Sequence, residues 1–368
     1  MEFCETMTAN VAHSPEALRA FYAEFRQNNK RAFRRDAADA AGVSEAELLA
    51  AECGEAVVRL QTPSPDMLHA FGGLGRVMML TRNEACVSEQ YGVYENIRVT
   101  PHAVVVLNPG AADLRLFLNK WALAFAATEP GPHGEVRRSI QIFDAAGDST
   151  HKIYVKDDEF VPAFDAFVAR FRAEDQAQTQ AVAARAALPV ARPDSEIDVK
   201  GLLEAWGALQ DTHDFYILLQ RFGVTRTQAL RLAQGKFTER LAVHAYRPLL
   251  EAVRDREIPI MVFIGNPGSI QIYTGPIRKL VDFPGWFNIM DKTFTMHLLE
   301  KLVVEAWFVD KPTKDGGVHS LELFDAEGRE IVIFFGERKP GIPERADWRE
   351  ALDSLRAIPQ QALETPGN

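Results

Sequence analysis

The sequence predicts an α+β protein made of two tandem repeats, each a β-sheet with helices. Three observations predict this fold: one segment occurs twice at a fixed spacing, both copies carry hydroxyl-capped helix starts, and both end in a pair of alternating strands. The chain has 368 residues, which is enough for two cores of ordinary size.

The duplication appears as self-similarity along the chain. The string SIQIFDAAG at Ser139–Gly147 nearly recurs as SLELFDAEG at Ser320–Gly328, a shift of 320 − 139 = 181 residues. The same shift aligns Lys120 with Lys301, and it aligns a Gly-Val turn in each half. Because one shift holds across three separated segments, we interpret the chain as a duplicated domain.

Each repeat is predicted to begin with two amphipathic helices, and the second helix opens at Ser44 or Thr225 after the Gly-Val turn. At these positions a hydroxyl can cap the free backbone N–H groups. Strands are predicted next, at Val77–Thr81 in the first repeat and at Met261–Ile264 and Ile270–Tyr273 in the second.

A further helix is predicted after these strands, over Asp113–Ala126 in the first repeat and Thr295–Phe308 in the second. Each repeat then ends in a hairpin of alternating residues. The hairpin turns are Asp144–Gly147 and Asp325–Gly328, and each has a glycine suited to positive φ.

The predicted boundaries are 10–172 for the first repeat, 173–198 for a linker and 199–358 for the second repeat. The linker is rich in Ala, Gln and Pro. Its first part suits an extension of the preceding helix, and Pro189–Pro193 favours an extended connection.

Composition and charge exclude several classes of protein. No window approaches the ~18 consecutive apolar residues of a membrane span, and the N-terminus lacks the pattern of a secretory signal. Three distant cysteines without a CxxC pair suit the reduced thiols of a cytosol. A net charge of −10 argues against broad nucleic-acid binding. We therefore expect a cytoplasmic protein without membrane insertion or a nucleic-acid partner.

The two repeats differ where a ligand could be bound. Four such residues have counterparts of different chemistry at the shift of 181: His213 (Ala32), Arg115 (Met296), Arg226 (Glu45) and Arg338 (Asp157). A single asymmetric site that uses both halves would produce this pattern, and ordinary drift between duplicates would produce it as well.

His213 belongs to an apolar pattern of helical period. Together with His213, the residues that recur at spacings of three and four are Leu202, Trp206, Leu209 and Tyr216/Ile217. The pattern predicts that His213 projects from an apolar helix face. That position suits a core or interface histidine, and it also suits a ligand of haem iron, which needs a neutral imidazole in apolar surroundings. Spacing alone leaves both interpretations open.

Long strings that occur in order carry a family resemblance. They include TRNEACVSEQYGVY at Thr81–Tyr94, LNPGAADLRLFLNKW at Leu107–Trp121, DTHDFYILL at Asp211–Leu219, VTRTQAL at Val224–Leu230 and EAWFVDKPTKDGGVHSLELF at Glu305–Phe324. With these strings the chain resembles the HemS/HmuS-type family of hemin-degrading and haem-trafficking proteins, from about residue 28 to residue 355. The resemblance implies two tandem repeats with a haem pocket formed between the halves.

The resemblance also implies the roles of individual residues around the iron. The proximal iron ligand falls on His213 of the DTHDF segment. The distal arginine, which is the catalytic candidate, falls on Arg115 of DLRLF, and the neighbouring ring contact falls on Phe117. Arg115 would act on the open iron face through water, because a guanidinium has no available lone pair.

The implied cations for the two haem propionates are Arg226, Lys311 and Arg338, which would hold them by charge-assisted hydrogen bonds. In the last strand the family often has tyrosine and glutamine. Here Phe335 and Glu337 stand at these positions, so the cofactor contact expected from Phe335 lacks a phenol.

Two functions follow from this resemblance. In one, the protein opens the porphyrin ring oxidatively to release iron, with electrons from an external donor. In the other, it is a non-catalytic carrier that takes haem from an importer and delivers it to a separate haem oxygenase. A third interpretation is a duplicated scaffold for another flat anionic ligand or for a protein.

Overall fold

The structure is a computed structural model that describes residues 14–30, 32–54, 56–100, 103–108, 113–131, 134–339 and 341–358. Residues 10–13 of the first predicted repeat, and Cys4, lie outside these ranges. The described residues divide into two compact units. The first unit takes its residues from 1–81, 90–186 and 266–270, and the second from 82–89, 187–265 and 271–368. The repeat boundaries derived from the sequence stay a prediction.

The predicted α+β class is confirmed, since the described residues contain ten α-helices and 18 strands, which form two nine-stranded sheets. The helices up to residue 186 are α1 (Pro15–Asn28), α2 (Arg34–Ala41), α3 (Glu45–Ala50), α4 (Pro65–Ala70) and α5 (Val161–Phe171). The strands in the same part are β1 (Val57–Arg59), β2 (Val77–Arg82), β3 (Cys86–Gly92), β4 (Ile97–Val99), β5 (Val104–Leu107), β6 (Asp113–Leu116), β7 (Leu123–Pro130), β8 (Val136–Phe143) and β9 (Ser149–Val155).

The second part of the chain repeats this plan. Its helices are α6 (Val199–Gly207), α7 (Asp214–Phe222), α8 (Arg226–Leu232), α9 (Tyr246–Asp255) and α10 (Ala346–Arg356). Its strands are β10 (Thr238–Leu241), β11 (Ile260–Asn266), β12 (Ser269–Gly275), β13 (Leu280–Phe283), β14 (Trp286–Met290), β15 (Phe294–Leu299), β16 (Glu305–Thr313), β17 (Gly316–Phe324) and β18 (Glu330–Gly336).

Strand pairing follows the same order in both units. In the first unit β1, β7, β8, β9 and β2 pair antiparallel in that order, and β4, β5 and β6 form an antiparallel meander. In the second unit β10, β16, β17, β18 and β11 pair antiparallel in that order, and β13, β14 and β15 form the meander. Each unit has its own buried apolar core against these strands.

The helix starts predicted from the capping hydroxyls are confirmed. Ser44 Oγ accepts a hydrogen bond from the backbone N–H of Glu47 at 3.2 Å, and Thr225 Oγ1 accepts one from the backbone N–H of Gln228 at 3.3 Å. The glycine two residues before each cap ends the preceding helix in the left-handed conformation. Among the residues that the structure describes, each half begins with three helices, α1 to α3 and α6 to α8, and not with the two predicted.

The helices predicted over Asp113–Ala126 and Thr295–Phe308 are wrong. Both segments form a strand, a short 3₁₀ turn and a second strand: β6 and β7 in the first, β15 and β16 in the second. The buried side chains alternate along β6 and β15, as Leu114 and Leu116, and as Phe294, Met296 and Leu298. A period of two belongs to a strand with one buried face.

The predicted hairpins are confirmed, since β8 pairs with β9 and β17 with β18 across the two Asp-to-Gly turns. Gly147 and Gly328 have φ values of 81° and 73°, which explains the glycine in each turn. The helix extension predicted for the linker is wrong, because α5 ends at Phe171 and residues 173–193 contain neither helix nor strand. No helix in the described ranges is both long enough and apolar enough to cross a bilayer.

A polar network lies inside the first unit. His151 on β9 is fully buried, with Nδ1 3.0 Å from Thr81 Oγ1 and Nε2 2.5 Å from the hydroxyl oxygen of Tyr94. Its ring stacks on Trp121 with centroids 6.2 Å apart. Burial lowers the pKa of His151 to about 3, so the imidazole is neutral in the folded protein.

This neutral imidazole predicts a loss of stability in mild acid. Below pH 6.5, the ordinary pKa of histidine, this side chain is protonated in the unfolded chain. In the folded protein His151 stays neutral down to about pH 3. The free energy of unfolding should therefore fall by about 1.4 kcal/mol per pH unit between these values from this group alone. Urea unfolding of wild type and His151→Val at pH 7, 6, 5 and 4 measures the difference in slope.

Valine is the matched replacement, because Val332 occupies the equivalent position of the second repeat (151 + 181 = 332) and is fully buried. Even where His151→Val is less stable than the wild type at pH 7, its free energy of unfolding should depend less steeply on pH. Parallel curves across this range would contradict a neutral buried His151.

Candidate functional site

His213 lies at the residue that precedes the first turn of α7. Because α6 ends at Gly207, the residues from Leu202 to Ile217 do not form one helix, and the predicted apolar helix face is wrong. The His213 side chain is 85% exposed. His213 is therefore not a core histidine.

Asp211 holds the His213 imidazole. Its Oδ1 atom accepts hydrogen bonds from the backbone N–H of His213 at 2.9 Å and from Nδ1 at 2.6 Å. The backbone hydrogen bond from His213 is the main reason that the pKa of Asp211 is lowered. With Nδ1 as donor, Nε2 keeps its lone pair, which is the arrangement that carboxylates impose on metal-binding histidines. Residue spacing predicts no role for Asp211, although Asp211 stands only two residues before His213.

Exposed apolar side chains accompany His213 along α7. Tyr216 is 67% exposed and Ile217 is 62% exposed, and they follow His213 by three and four residues. Residues at these spacings share one side of a helix. An exposed imidazole beside an exposed aromatic ring and an aliphatic side chain is a surface that suits a flat apolar ligand.

Arg226 and Lys311 belong to an ion cluster around a buried carboxylate. Glu322, which is fully buried on β17, accepts hydrogen bonds from Arg226 Nε at 2.8 Å and from Lys311 Nζ at 2.6 Å. Arg226 Nη1 also lies 3.1 Å from Glu330 Oε2. Burial alone would raise the pKa of Glu322, but Arg226 and Lys311 outweigh it and lower the pKa to about 2. Two cations thus face two carboxylates.

Aromatic rings connect this cluster to the start of α7. Lys311 Nζ lies 5.0 Å from the ring centroid of Phe215 and 5.4 Å from that of Phe335, and Arg226 Cζ lies 5.3 Å from that of Phe215. Since Phe215 follows His213 by two residues, the second unit brings His213, Arg226, Lys311 and Phe335 into one region. Lys311, however, is only 3% exposed, so it does not lie at the mouth of a pocket.

In the first repeat an acidic residue stands at the position equivalent to Arg226. Glu45 (226 − 181 = 45) is buried and forms an ion pair with Lys152. Both repeats therefore bury an ion pair at the first residue of the capped helix, with opposite polarity.

Arg338 differs from the other two predicted cations. It is half-buried just after β18 and forms no ion pair with a described residue. Its charge contributes to the lowered pKa of Asp211, so it acts on the carboxylate that holds His213. Of the three predicted propionate ligands, Arg338 is the one that forms no ion pair within the described ranges, whereas Arg226 and Lys311 both do.

The first unit holds the two remaining predicted residues. Arg115 on β6 forms an ion pair with Asp113, donates a hydrogen bond from Nη1 to the carbonyl of Leu114 at 3.1 Å, and is 26% exposed. Burial raises the pKa of Asp113, and Arg115 opposes that shift. Phe117 follows the strand, and its backbone N–H donates to the carbonyl of Gly268 at 3.0 Å.

The comparison with protein families is decisive for the chain as a whole. The model of the family described as "Haemin-degrading HemS.ChuX domain" matches it twice, over residues 42–171 and 223–355. The chain belongs to this family. Since the two matches begin 223 − 42 = 181 residues apart, they also confirm the duplication in the sequence of this HemS/ChuX protein.

Similar proteins cover nearly the whole chain. It is 38% identical over 336 residues to the hemin transport protein HemS of Yersinia enterocolitica, which is 91% of this chain and 96% of that protein. Its fold matches holo-PhuS, a heme-binding protein of Pseudomonas aeruginosa, with a TM-score of 0.89, 43% identity and coverage of 93% and 99%. It also matches ChuS, an E. coli heme oxygenase, with a TM-score of 0.82, 36% identity and the same coverage.

Proposed function

We propose that the protein binds haem in the cytoplasm as part of bacterial haem-iron utilisation, with Nε2 of His213 as the iron ligand. The observation that carries this proposal is an exposed imidazole whose Nδ1 is held by Asp211, beside the exposed Tyr216 and Ile217. The names of its relatives, which include a hemin transport protein and a heme-binding protein, support the same ligand.

Arg338 is the main propionate anchor in this proposal. Arg226 and Lys311 already face Glu322 and Glu330, so their charges are balanced within the protein and do not offer two spare cations to the propionates. A guanidinium without an ion pair among the described residues, near the partner of the iron ligand, suits a carboxylate that arrives with the porphyrin.

We further propose oxidative opening of the porphyrin ring as the activity, with haem as substrate and an external electron donor. Arg115 is the catalytic candidate. Released from Asp113, its guanidinium would donate hydrogen bonds, directly or through water, to groups on the open face of the bound haem. The heme oxygenase ChuS, to which the chain is similar, supports this function.

A carrier is the second candidate, and the exposure of His213 favours it. An iron ligand with 85% of its side chain exposed can be approached from solvent, which suits transfer from an importer to a separate haem oxygenase. In that function Arg115 would be dispensable and the reversibility of the His213 bond would matter.

An absorption titration with hemin, followed by ascorbate under air with catalase present, tests both functions. We expect a saturable Soret band, and then its loss with formation of a defined linear tetrapyrrole. An intact Soret band that moves to apo-haem oxygenase would support the carrier and contradict the enzyme. If no saturable band forms, haem binding itself is wrong.

A further inference from the structure

A charged cleft lies in the first unit, at the start of β8 and the end of β9. Its volume is about 460 Å³, within the ~300–1,000 Å³ usual for small-molecule sites. The antiparallel register brings Arg138 opposite Val155, and the guanidinium of Arg137 lies over the ring of Tyr154 at 4.9 Å from its centroid. Lys156 follows β9 directly and is exposed.

The cations of this cleft have no counter-ions within the part of the chain that the structure describes. Arg137, Arg138 and Lys156 line the cleft, and none of them forms an ion pair with a described residue. The lining also contains two carboxylates, Glu135 and Asp158, so its formal charge is 3 − 2 = +1. The carboxylate of Glu135 lies against Gly131, on the side of the preceding loop. Unpaired cations around a concave surface attract anions.

The duplication relates this cleft to the haem site proposed for the second repeat. Tyr154 is the counterpart of Phe335 (154 + 181 = 335), and Lys156 is the counterpart of Glu337 (156 + 181 = 337). The cleft therefore uses the strand ends that in the second repeat carry the residues assigned to the haem site. The first repeat has Ala32 where the second has His213, so this cleft has charges without the corresponding iron ligand.

We propose that this cleft is a separate site for a small polyanion that carries phosphate or carboxylate groups, bound by Arg137, Arg138 and Lys156. The two guanidinium groups suit bidentate contacts to either kind of oxyanion, and the lysine adds a point charge at the rim. The proposal does not depend on haem binding, because no residue of the cleft belongs to the haem site proposed above.

Calorimetric titration with pyrophosphate and with citrate, at low ionic strength, tests this site. We expect saturable binding of at least one probe with a stoichiometry of one, and the stronger probe identifies phosphate or carboxylate as the preferred group. Removing both guanidinium groups in Arg137→Gln/Arg138→Gln should weaken it at least about 100-fold. That is tenfold for each, because every ~1.4 kcal/mol is tenfold and a charge-assisted hydrogen bond contributes about that much.

The matched control removes the same charge elsewhere in the first unit. Arg98→Gln/Lys120→Gln changes two exposed cations outside the cleft, and its affinity should stay within about twofold of the wild type. Lys156→Gln alters an exposed side chain, and it should weaken binding about tenfold. Hemin titration of the cleft variants should be unchanged, which separates this site from the haem site.

Two results would overturn the proposal. One is that neither probe gives a saturable isotherm with folded wild-type protein. The other is that the control variant loses as much affinity as the cleft variants, because that would mean diffuse attraction to the surface of the unit.

Discussion

Replacing His213 with alanine is expected to weaken hemin binding at least about 100-fold and to remove the Soret spectrum of imidazole-ligated iron. The reason is that Nε2 is the ligand atom left available once Nδ1 donates to Asp211, and losing a ligand costs more than the ~10–100-fold typical of losing its hydrogen-bonded partner. Hemin titration and the absorption spectrum of the complex measure it. Stability should change by less than about 0.5 kcal/mol, since the side chain is exposed.

Asp211→Asn provides a graded variant of the same site. It keeps the shape of the side chain at position 211 and removes the charge opposite Nδ1, so hemin affinity should fall by about 10–100-fold and His213 should stay the ligand. His69→Ala, which removes an exposed imidazole on α4, is the matched control and should bind hemin like the wild type. Wild-type affinity and spectrum in His213→Ala would contradict His213 as the iron ligand.

The surroundings of His213 could not be predicted from residue spacing. Apolar residues from Leu202 to Ile217 recur at helical intervals, but the helix stops at Gly207 and restarts at Asp214. The side chains of Asp211 and Asp214 bond to backbone N–H groups between the two helices and hold the connection. Periodicity reports only the spacing of apolar residues along the chain. It cannot detect the break between α6 and α7, because the apolar residues on both sides of the break keep the helical spacing.

The duplication was readable because it depends on residue identity, not on conformation. Because the two repeats have similar residues, the same wrong helix is predicted in both of them. The helices predicted for the segments that contain Lys120 and Lys301 are both wrong, because each segment forms two strands joined by a 3₁₀ turn. In each segment the buried residues alternate before the lysine, so the period of two was present but was hidden by the apolar residues that follow.

The cations of the second unit lie together, but the sequence does not predict which of them are neutralised by carboxylates. Arg226, Lys311 and Phe335 do lie together, but Lys311 is buried against Glu322, eleven residues later in the chain (322 − 311 = 11). In the register of β16 and β17, Lys311 lies opposite Val318 and Glu322 lies opposite Trp307, so their contact is diagonal and depends on the pairing of the whole hairpin. The sequence therefore could not distinguish a free ammonium from a neutralised one.

Glu322→Gln is expected to lower the free energy of unfolding by about 3–5 kcal/mol, because it leaves the buried ammonium of Lys311 without its counter-ion. Glutamine is the residue at the equivalent position of the first repeat, Gln141 (322 − 181 = 141), so the side chain fits a strand of this kind. Urea unfolding at pH 7 measures the change as a shift of the midpoint at unchanged slope.

Two further variants identify the cause of that loss. Glu327→Gln removes a carboxylate from the turn of the same hairpin, where its ion pair with Arg329 is about half exposed, and it should cost less than about 0.5 kcal/mol. Lys311→Met combined with Glu322→Gln removes the unpaired charge as well, and it should recover part of the lost stability. If the double variant is no more stable than Glu322→Gln alone, the damage comes from lost packing or hydrogen bonds and not from the stranded charge of Lys311.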